Sequence, residues 1–103
     1  MKVIWLPFAK KQLFNTAQYI KKTFGPKSKD KFIKAILDAN KMIGLEPNIG
    51  KVEPTLDDRA IMYRCYVVAH HNKIIYCENE DHISVVDFWD CRRDPNALVS
   101  QVK

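Results

Sequence analysis

The chain has 103 residues and a mass of 12.0 kDa, which is enough for one domain (1–103) with a single hydrophobic core. Its longest apolar runs are too short for a membrane helix or a signal peptide, so we expect a cytoplasmic protein without a membrane partner. Three cysteines without a CxxC pair argue against a disulfide framework or a metal site, and we expect no cofactor. The net charge of +5 is compatible with an anionic partner, either nucleic acid or an acidic protein.

The N-terminal quarter predicts a short strand followed by an amphipathic helix. Lys2 to Leu6 is a β-type run, which Pro7 stops while also suiting the first turn of a helix. We predict a helix over 8–24, and Gly25-Pro26 ends it because proline cannot continue a helix. Its apolar stripe consists of Leu13, Ala17, Ile20 and Phe24.

A second helical pattern follows almost at once. Ser28 is a candidate N-cap, Gly44 a candidate C-terminal cap, and Pro47 blocks continuation. Because the joint between the helices is so short, we expect an antiparallel helical hairpin. The connection 44–58 is then the only long irregular segment. The apolar stripe of the second helix consists of Phe32, Ile33, Ile36, Leu37 and Ile43, with Asn40 among them.

The last third, Arg59 to Arg93, predicts a three-stranded meander. Three apolar runs are joined by polar turns at 69–72 and 79–82. The resulting order β-α-α-β-β-β indicates an α+β fold. In it, the N-terminal strand and the helical hairpin pack on one face of a mainly antiparallel four-stranded sheet.

Alternation along each strand assigns side chains to the two faces of this sheet. We place the cleaner apolar set against the helices: Ile61, Tyr63, Val67, Ile74, Tyr76, Val86 and Phe88. The open face then collects cations and aromatic residues, namely Arg64, Tyr66, Lys73, Trp89 and Arg93. It also leaves an exposed apolar patch of Met62, Ile75, Val85 and Trp89, which a disordered acidic and apolar partner segment could cover.

With these elements in place, the chain resembles the RelE/ParE family of bacterial type II toxins, which includes plasmid stabilisation proteins. The resemblance rests on VIWLPFAKKQL at the start, the YI at 19–20, the Phe24-Gly25 joint, the Pro47-x-x-Gly50 step and the strand pattern KIIYCENEDHISVVDFWDCRRDP. It spans essentially the whole chain. It implies a growth-inhibiting toxin of a toxin–antitoxin module, neutralised by a cognate antitoxin.

The family resemblance implies two alternative mechanisms. RelE-like members cut ribosome-bound mRNA with a cationic cleft, whose positions fall on Arg64, Lys73 and Arg93 as catalytic candidates. RelE-like members carry a further lysine in this cleft, and this chain has Tyr66 at the corresponding position. They also carry a C-terminal tyrosine, and this chain has Val99 there. ParE-like members poison DNA gyrase without enzymatic activity, and the long hairpin with its Pro-x-x-Gly step favours this branch. Whether the chain is an enzyme stays open, and an inactive remnant that only binds an antitoxin is a further alternative.

RNA cleavage requires a base that takes the 2′-hydroxyl proton, positive charge beside the scissile phosphate, and a proton donor to the leaving oxygen. Two arginines can hold a phosphate, Lys73 is a candidate base, and the turn histidines His70 and His71 can titrate near neutrality. The alternative is that these cations are solvated or contact acidic antitoxin side chains. Candidate residues for binding nucleic acid or a partner are Arg59, Arg64, Tyr66, Lys73, Trp89, Arg92 and Arg93.

Overall fold

The computed structural model describes residues 1–69, 71–93 and 95–102, where the chain forms five strands, three α-helices and one 3-10 helix. In chain order these are β1 (Lys2–Trp5), α1 (Pro7–Phe24), α2 (Pro26–Leu45), β2 (Lys51–Val52), the 3-10 helix (Pro54–Leu56), β3 (Arg64–Ala69), β4 (Asn72–Glu78), β5 (His82–Asp90) and α3 (Pro95–Gln101). The sheet order is β1-β5-β4-β3-β2, with β1 parallel to β5 and the other pairs antiparallel. The α+β class is confirmed, but the sheet has five strands rather than four.

The helical hairpin turns within a single residue. Gly25 adopts φ +97°, a conformation that favours glycine, and Pro26 starts α2 at once. The predicted end of α1 is therefore confirmed. The prediction that Ser28 caps α2 is wrong, because Ser28 lies inside the first turn and its hydroxyl donates to the carbonyl of Phe24 at 3.3 Å.

The packing at the C-terminal end of α2 explains why position 44 is a glycine. Gly44 lies inside the helix, which ends at Leu45, so the prediction that it caps the C-terminus is wrong. The N-terminal ammonium of Met1 donates to the Gly44 carbonyl at 2.7 Å, and a Cβ at position 44 would lie 2.8 Å from the Met1 carbonyl oxygen. Glycine is thus required here so that β1 can approach the helix.

Two apolar layers cover the sheet, one on each face. The helices cover one face, where the buried residues are Ala9, Ala17, Phe32, Ile36, Ala39, Ile43, Ile74, Tyr76, Ile83, Val85 and Phe88. The 3-10 helix and α3 cover the other, where the buried residues are Leu56, Tyr63, Cys65, Ile75, Cys77, Trp89, Leu98 and Val102. The expectation of one open face is therefore wrong. Of the predicted exposed patch only Met62 is exposed, whereas Ile75 (0%), Val85 (0%) and Trp89 (2%) are buried.

The face assignment of β3 is also reversed. Arg64 is paired with Tyr76 and Tyr66 with Ile74, and cross-strand partners share a face, so Arg64 and Tyr66 point to the helix side. Tyr63 and Cys65 point to the other side. Alternation fixes which residues share a face. It cannot say which face is which when both are covered.

A bulge in β5 changes the last assignment. The partner of Ile75 is Asp87 and that of Tyr76 is Val85, so Val86 is an extra residue in the ladder. Val85 and Phe88 therefore both pack against the helices, whereas Val86 packs in the second layer. The prediction that Val86 faces the helices with Phe88 is wrong for this reason.

We predict that Gly50→Ala lowers the free energy of unfolding by about 2 kcal/mol because of overpacking. A Cβ at position 50 would lie 2.6 Å from both the Cys65 carbonyl oxygen and the Tyr76 hydroxyl, and the latter accepts from the Gly50 N–H at 2.9 Å. Urea unfolding measures the change. Asn48→Ala, at an exposed position of the same connection, is the control and should stay within about 0.5 kcal/mol of wild type. Equal effects for both variants would contradict this packing argument.

Candidate functional site: the cations of the sheet

A buried ion pair occupies the centre of the second face. Lys73 of β4 donates to the carboxylate of Glu53, whose side chain has no exposed surface, while the Lys73 side chain is 16% exposed. The N–H and hydroxyl of Thr55 donate to the other Glu53 oxygen at 3.0 and 2.8 Å. Burial by itself would raise the pKa of Glu53, but the hydrogen bonds from Lys73 and Thr55 outweigh it and lower that pKa below its ordinary value. Lys73 is thus engaged by the chain itself.

Arg93 and Trp89 belong to a second network beneath α3. The guanidinium of Arg93 lies 4.3 Å from the centre of the buried Trp89 ring and donates to the Gln101 side-chain oxygen at 3.3 Å. The Gln101 amide donates in turn to Asp87 at 2.8 Å. Asp87 is fully buried, and this burial raises its pKa despite the hydrogen bond from Gln101. The network ties the C-terminal helix to β5.

Arg64 and Tyr66 lie apart from these residues. Both face the helices, where Arg64 donates to the Gly50 carbonyl at 2.8 Å and Tyr66 packs against the first apolar layer. Lys73 is paired with Trp89 and Val67 on the opposite face. The structure therefore brings Lys73, Trp89 and Arg93 to one side of the sheet and places Arg64 and Tyr66 on the other.

The other two cations predicted for the site, Arg59 and Arg92, also bond to groups of the chain itself. Arg59 donates to the carbonyls of Val102 and, at 2.8 Å, of Val99, so it satisfies backbone acceptors at the end of α3. Arg92 forms two hydrogen bonds to Asp90, at 3.1 and 2.8 Å. The hydrogen bond from Arg92 lowers the pKa of Asp90 to about 2.

Sequence reasoning missed Glu53, which organises the second face. Its signal was present in Glu53-Pro54-Thr55, since an acidic residue before proline is a pattern for capping a helical turn. It also missed α3. The motif Asp94-Pro95 with apolar residues at 97, 98 and 102 resembles a helix start, but the segment is too short for periodicity to decide.

Of the two turn histidines, the structure describes His71 alone. His71 is exposed at the β3–β4 end of the sheet, close enough to Asp90 to lower the pKa of that carboxyl slightly beside the dominant effect of Arg92. His70 lies outside the described residues. Within residues 1–69, 71–93 and 95–102 no group of three or more histidine, cysteine or acidic residues is placed to hold a metal ion. No helix in these ranges has the length and hydrophobicity to cross a membrane.

Some of the exposed apolar side chains lie near the tip of the helical hairpin. Tyr19 and Phe24 are 60% and 66% exposed, and their rings meet edge to face at 6.5 Å. Val67 of β3 is 57% exposed. A groove of about 880 Å³ runs between α2 and β3 and is lined by both Phe24 and Val67. We call it the β3–α2 groove.

Solved structures share this fold. The chain superposes on a protein of the chromosomal ParDE TA system from P. aeruginosa with a TM-score of 0.70 and 15% identity, covering 87% of this chain and 95% of that one. For a YoeB/ParE toxin from Agrobacterium tumefaciens the values are 0.56, 17%, 87% and 98%. For the YoeB dimer from Staphylococcus aureus they are 0.53, 21%, 84% and 92%. The architecture is therefore that of small toxins from toxin–antitoxin systems.

The sequence identifies the family within that class. A family model described as the ParE toxin of type II toxin-antitoxin system, parDE, matches residues 3–95. The chain belongs to this family, which implies an antitoxin partner. A comparison with curated protein sequences gave no significant match.

We predict that Glu53→Gln lowers the free energy of unfolding by about 3 kcal/mol, because Lys73 then loses its charged partner in a largely buried site. The double variant Glu53→Gln/Lys73→Met should recover most of that loss, since no unpaired charge remains. Urea unfolding measures both. Asp57→Asn, at an exposed neighbouring position, is the control and should change the free energy by at most about 0.5 kcal/mol. A double variant no more stable than Glu53→Gln would contradict the ion-pair account.

The same pair predicts a pH dependence. Because the pKa of Glu53 is lower in the folded chain, its contribution is fully present above the ordinary value of 4.5 and is lost as pH falls below it. Between about pH 5 and pH 3, wild type should therefore lose more stability than Glu53→Gln. The comparison cancels contributions from other carboxyls, including that of Asp87. Parallel stability profiles for the two proteins over this pH range would exclude Glu53 as the source of the pH dependence.

Proposed function

We propose that this chain is a growth-inhibiting cytoplasmic toxin of a plasmid or chromosomal stabilisation module, that a cognate antitoxin neutralises it, and that it acts in the ParE-like manner by binding DNA gyrase. Membership of the ParE family supports the first part. The ParE-like mode of action rests on the cations of the sheet. Their contacts decide whether residues are available for the RelE-like alternative.

The contacts of Arg64, Lys73 and Arg93 argue against their use as a nuclease set. A cleft that cleaves RNA must present its cations together to the scissile phosphate. Here Lys73 is held by Glu53, Arg93 stacks on Trp89, and Arg64 lies on the opposite face. The second apolar layer, with α3 and the 3-10 helix, also covers the sheet where such a cleft would lie. This arrangement supports a non-enzymatic toxin that binds its target.

The target is tested by induced expression in a bacterial host, with DNA, RNA and protein synthesis followed in parallel. We expect growth arrest with DNA synthesis falling first. We also expect purified protein to inhibit supercoiling of relaxed plasmid by gyrase while a translation extract stays active. Translation should stay active because the candidate catalytic cations are engaged within the chain.

The variant Arg93→Ala separates the alternatives, with its thermal unfolding measured as the check on folding. Under our proposal it still inhibits gyrase when folded. If instead translation halts with intact gyrase activity and Arg93→Ala abolishes the effect, the protein is a RelE-like nuclease. If expression leaves growth unaffected although an antitoxin binds, the chain is an inactive remnant. Either result would overturn the proposal.

A further inference from the structure

The positive charge of this chain is concentrated in the helical hairpin. Residues 7–45, which form α1 and α2, contain nine lysines, two aspartates and no other charged residue, so they carry a net charge of +7. The rest of the chain contains eight basic and ten acidic residues, so it carries −2 with its histidines neutral. The basic character therefore belongs to the helices and not to the sheet.

The lysines of α2 form a row along the side of the helix that faces away from the sheet. Lys27, Lys34 and Lys41 are exposed and follow each other at intervals of seven residues, which is about two turns, so the row is about 21 Å long. Lys34 is two residues from both Phe32 and Ile36, which are buried against the sheet. Because two residues correspond to more than half a turn, Lys34 points to solvent.

The lysines of α1 add two pairs beside this row. Lys10-Lys11 and Lys21-Lys22 are all exposed, and the pairs are eleven residues apart, which is about three turns, so they lie above one another on the helix. Since α1 and α2 pack against each other, the two sets border the same outer surface of the hairpin. Lys31 lines the β3–α2 groove instead. We call the exposed lysines at 10, 11, 21, 22, 27, 34 and 41 the hairpin lysine face.

Helix stability disfavours this arrangement of charge. Lys27 and Lys29 lie in the first turn of α2, where the helix dipole repels a cation, and neither α1 nor α2 has an acidic residue in its first turn. In the described part of the chain no ion pair joins a carboxylate to a lysine of the hairpin lysine face. Carboxylates three or four residues from each lysine would make a solvated face more stable. An anionic partner offsets this repulsion.

The kind of cation indicates the class of polyanion. All nine cations of the hairpin are lysines, and none is an arginine. Lysine contacts a phosphate as a point charge, whereas arginine supplies the bidentate hydrogen bonds that recognise guanine. Duplex DNA presents one charge for about every 1.7 Å of its axis, twice the density of one strand. A row about 21 Å long therefore spans the phosphates of about six base pairs without reading their sequence.

The hairpin is less suited to a membrane or to a second copy of the chain. Its apolar stripes are used in the core, where Phe32, Ile36 and Ile43 are buried, so they are not available to enter a bilayer. A second copy would bring the same positive charge to the contact. Charge complementarity thus favours a nucleic acid.

We propose that the hairpin lysine face binds the phosphate backbone of double-stranded DNA without sequence specificity. The inference goes beyond the proposed function, because it assigns a ligand to the chain itself. It would bring the toxin to the duplex on which gyrase acts. It does not depend on gyrase inhibition, since it rests on the charge and spacing of the hairpin alone.

Fluorescence anisotropy with a labelled duplex of about 20 base pairs tests binding by the purified full chain. We expect a dissociation constant of about 1–100 µM near physiological salt, the same for two unrelated sequences. Because each phosphate contact releases counterions, log K should fall with log salt with a slope of about −4 or steeper if five or more lysines take part. A single strand of the same length should bind at least about threefold more weakly.

Matched variants identify the surface that binds. Lys27→Glu should weaken binding about tenfold at low salt, yet its melting temperature should equal or exceed that of wild type, because it places an acidic side chain in the first turn of α2. Lys34→Glu/Lys41→Glu should weaken binding further. Lys51→Glu makes the same charge change at an exposed position of β2, outside the hairpin, and should retain binding within about twofold. Thermal unfolding establishes that each variant is folded.

Three results would overturn the proposal: no duplex binding at about 50 mM salt, a salt slope near zero, or equal binding by wild type and Lys27→Glu. Binding to phosphatidylserine vesicles or to polyglutamate without binding to the duplex would assign the face to a membrane or to an acidic protein. Tighter binding to duplex RNA than to duplex DNA would assign it to RNA.

The gyrase assay is scored separately. Gyrase inhibition without DNA binding would overturn this inference alone, whereas DNA binding without inhibition would overturn only the proposed function, so the two failures are distinguishable.

Discussion

The ion pair between Glu53 and Lys73 is the contact on which the second face of the sheet depends. A carboxylate without exposed surface is tolerated only when a partner and hydrogen bonds offset its desolvation, and Lys73 and Thr55 provide them. The pair fixes the connection between α2 and β3 against the sheet. The 3-10 helix that follows then places Leu56 in the second apolar layer, where Leu98 of α3 packs as well.

This arrangement changes the role of the basic residues. In a sheet with one open face, Lys73 and Arg93 would be free to contact a polyanion. Here they contact Glu53 and Trp89, and Arg59 bonds to the end of α3. Because one fold can host different activities, membership of a family does not decide which surface acts. The exposed lysines of the helical hairpin are therefore better candidates for contact with a polyanion.

The short β2 strand leaves the edge of β3 only partly paired. The Gly50 N–H donates to the Tyr76 hydroxyl and its carbonyl accepts from Arg64, so the chain coming from α2 joins the edge of β3 only after this glycine. A longer β2 would pair Val67 and close the edge. The same contacts that direct the connection toward Glu53 thus limit the pairing of β3 in the described part of the chain.

The sequence by itself determined the α+β class, the helical hairpin and the strand runs, because periodicity and the Gly25-Pro26 joint are local signals. It also indicated the toxin family. Only the tertiary structure decided the faces of β3, the bulge at Val86 and the burial of Trp89. The physical reason is that alternation records which residues share a face, whereas the short 3-10 helix and α3 decide whether that face is covered. Such short segments are fixed by long-range contacts that leave almost no periodic pattern.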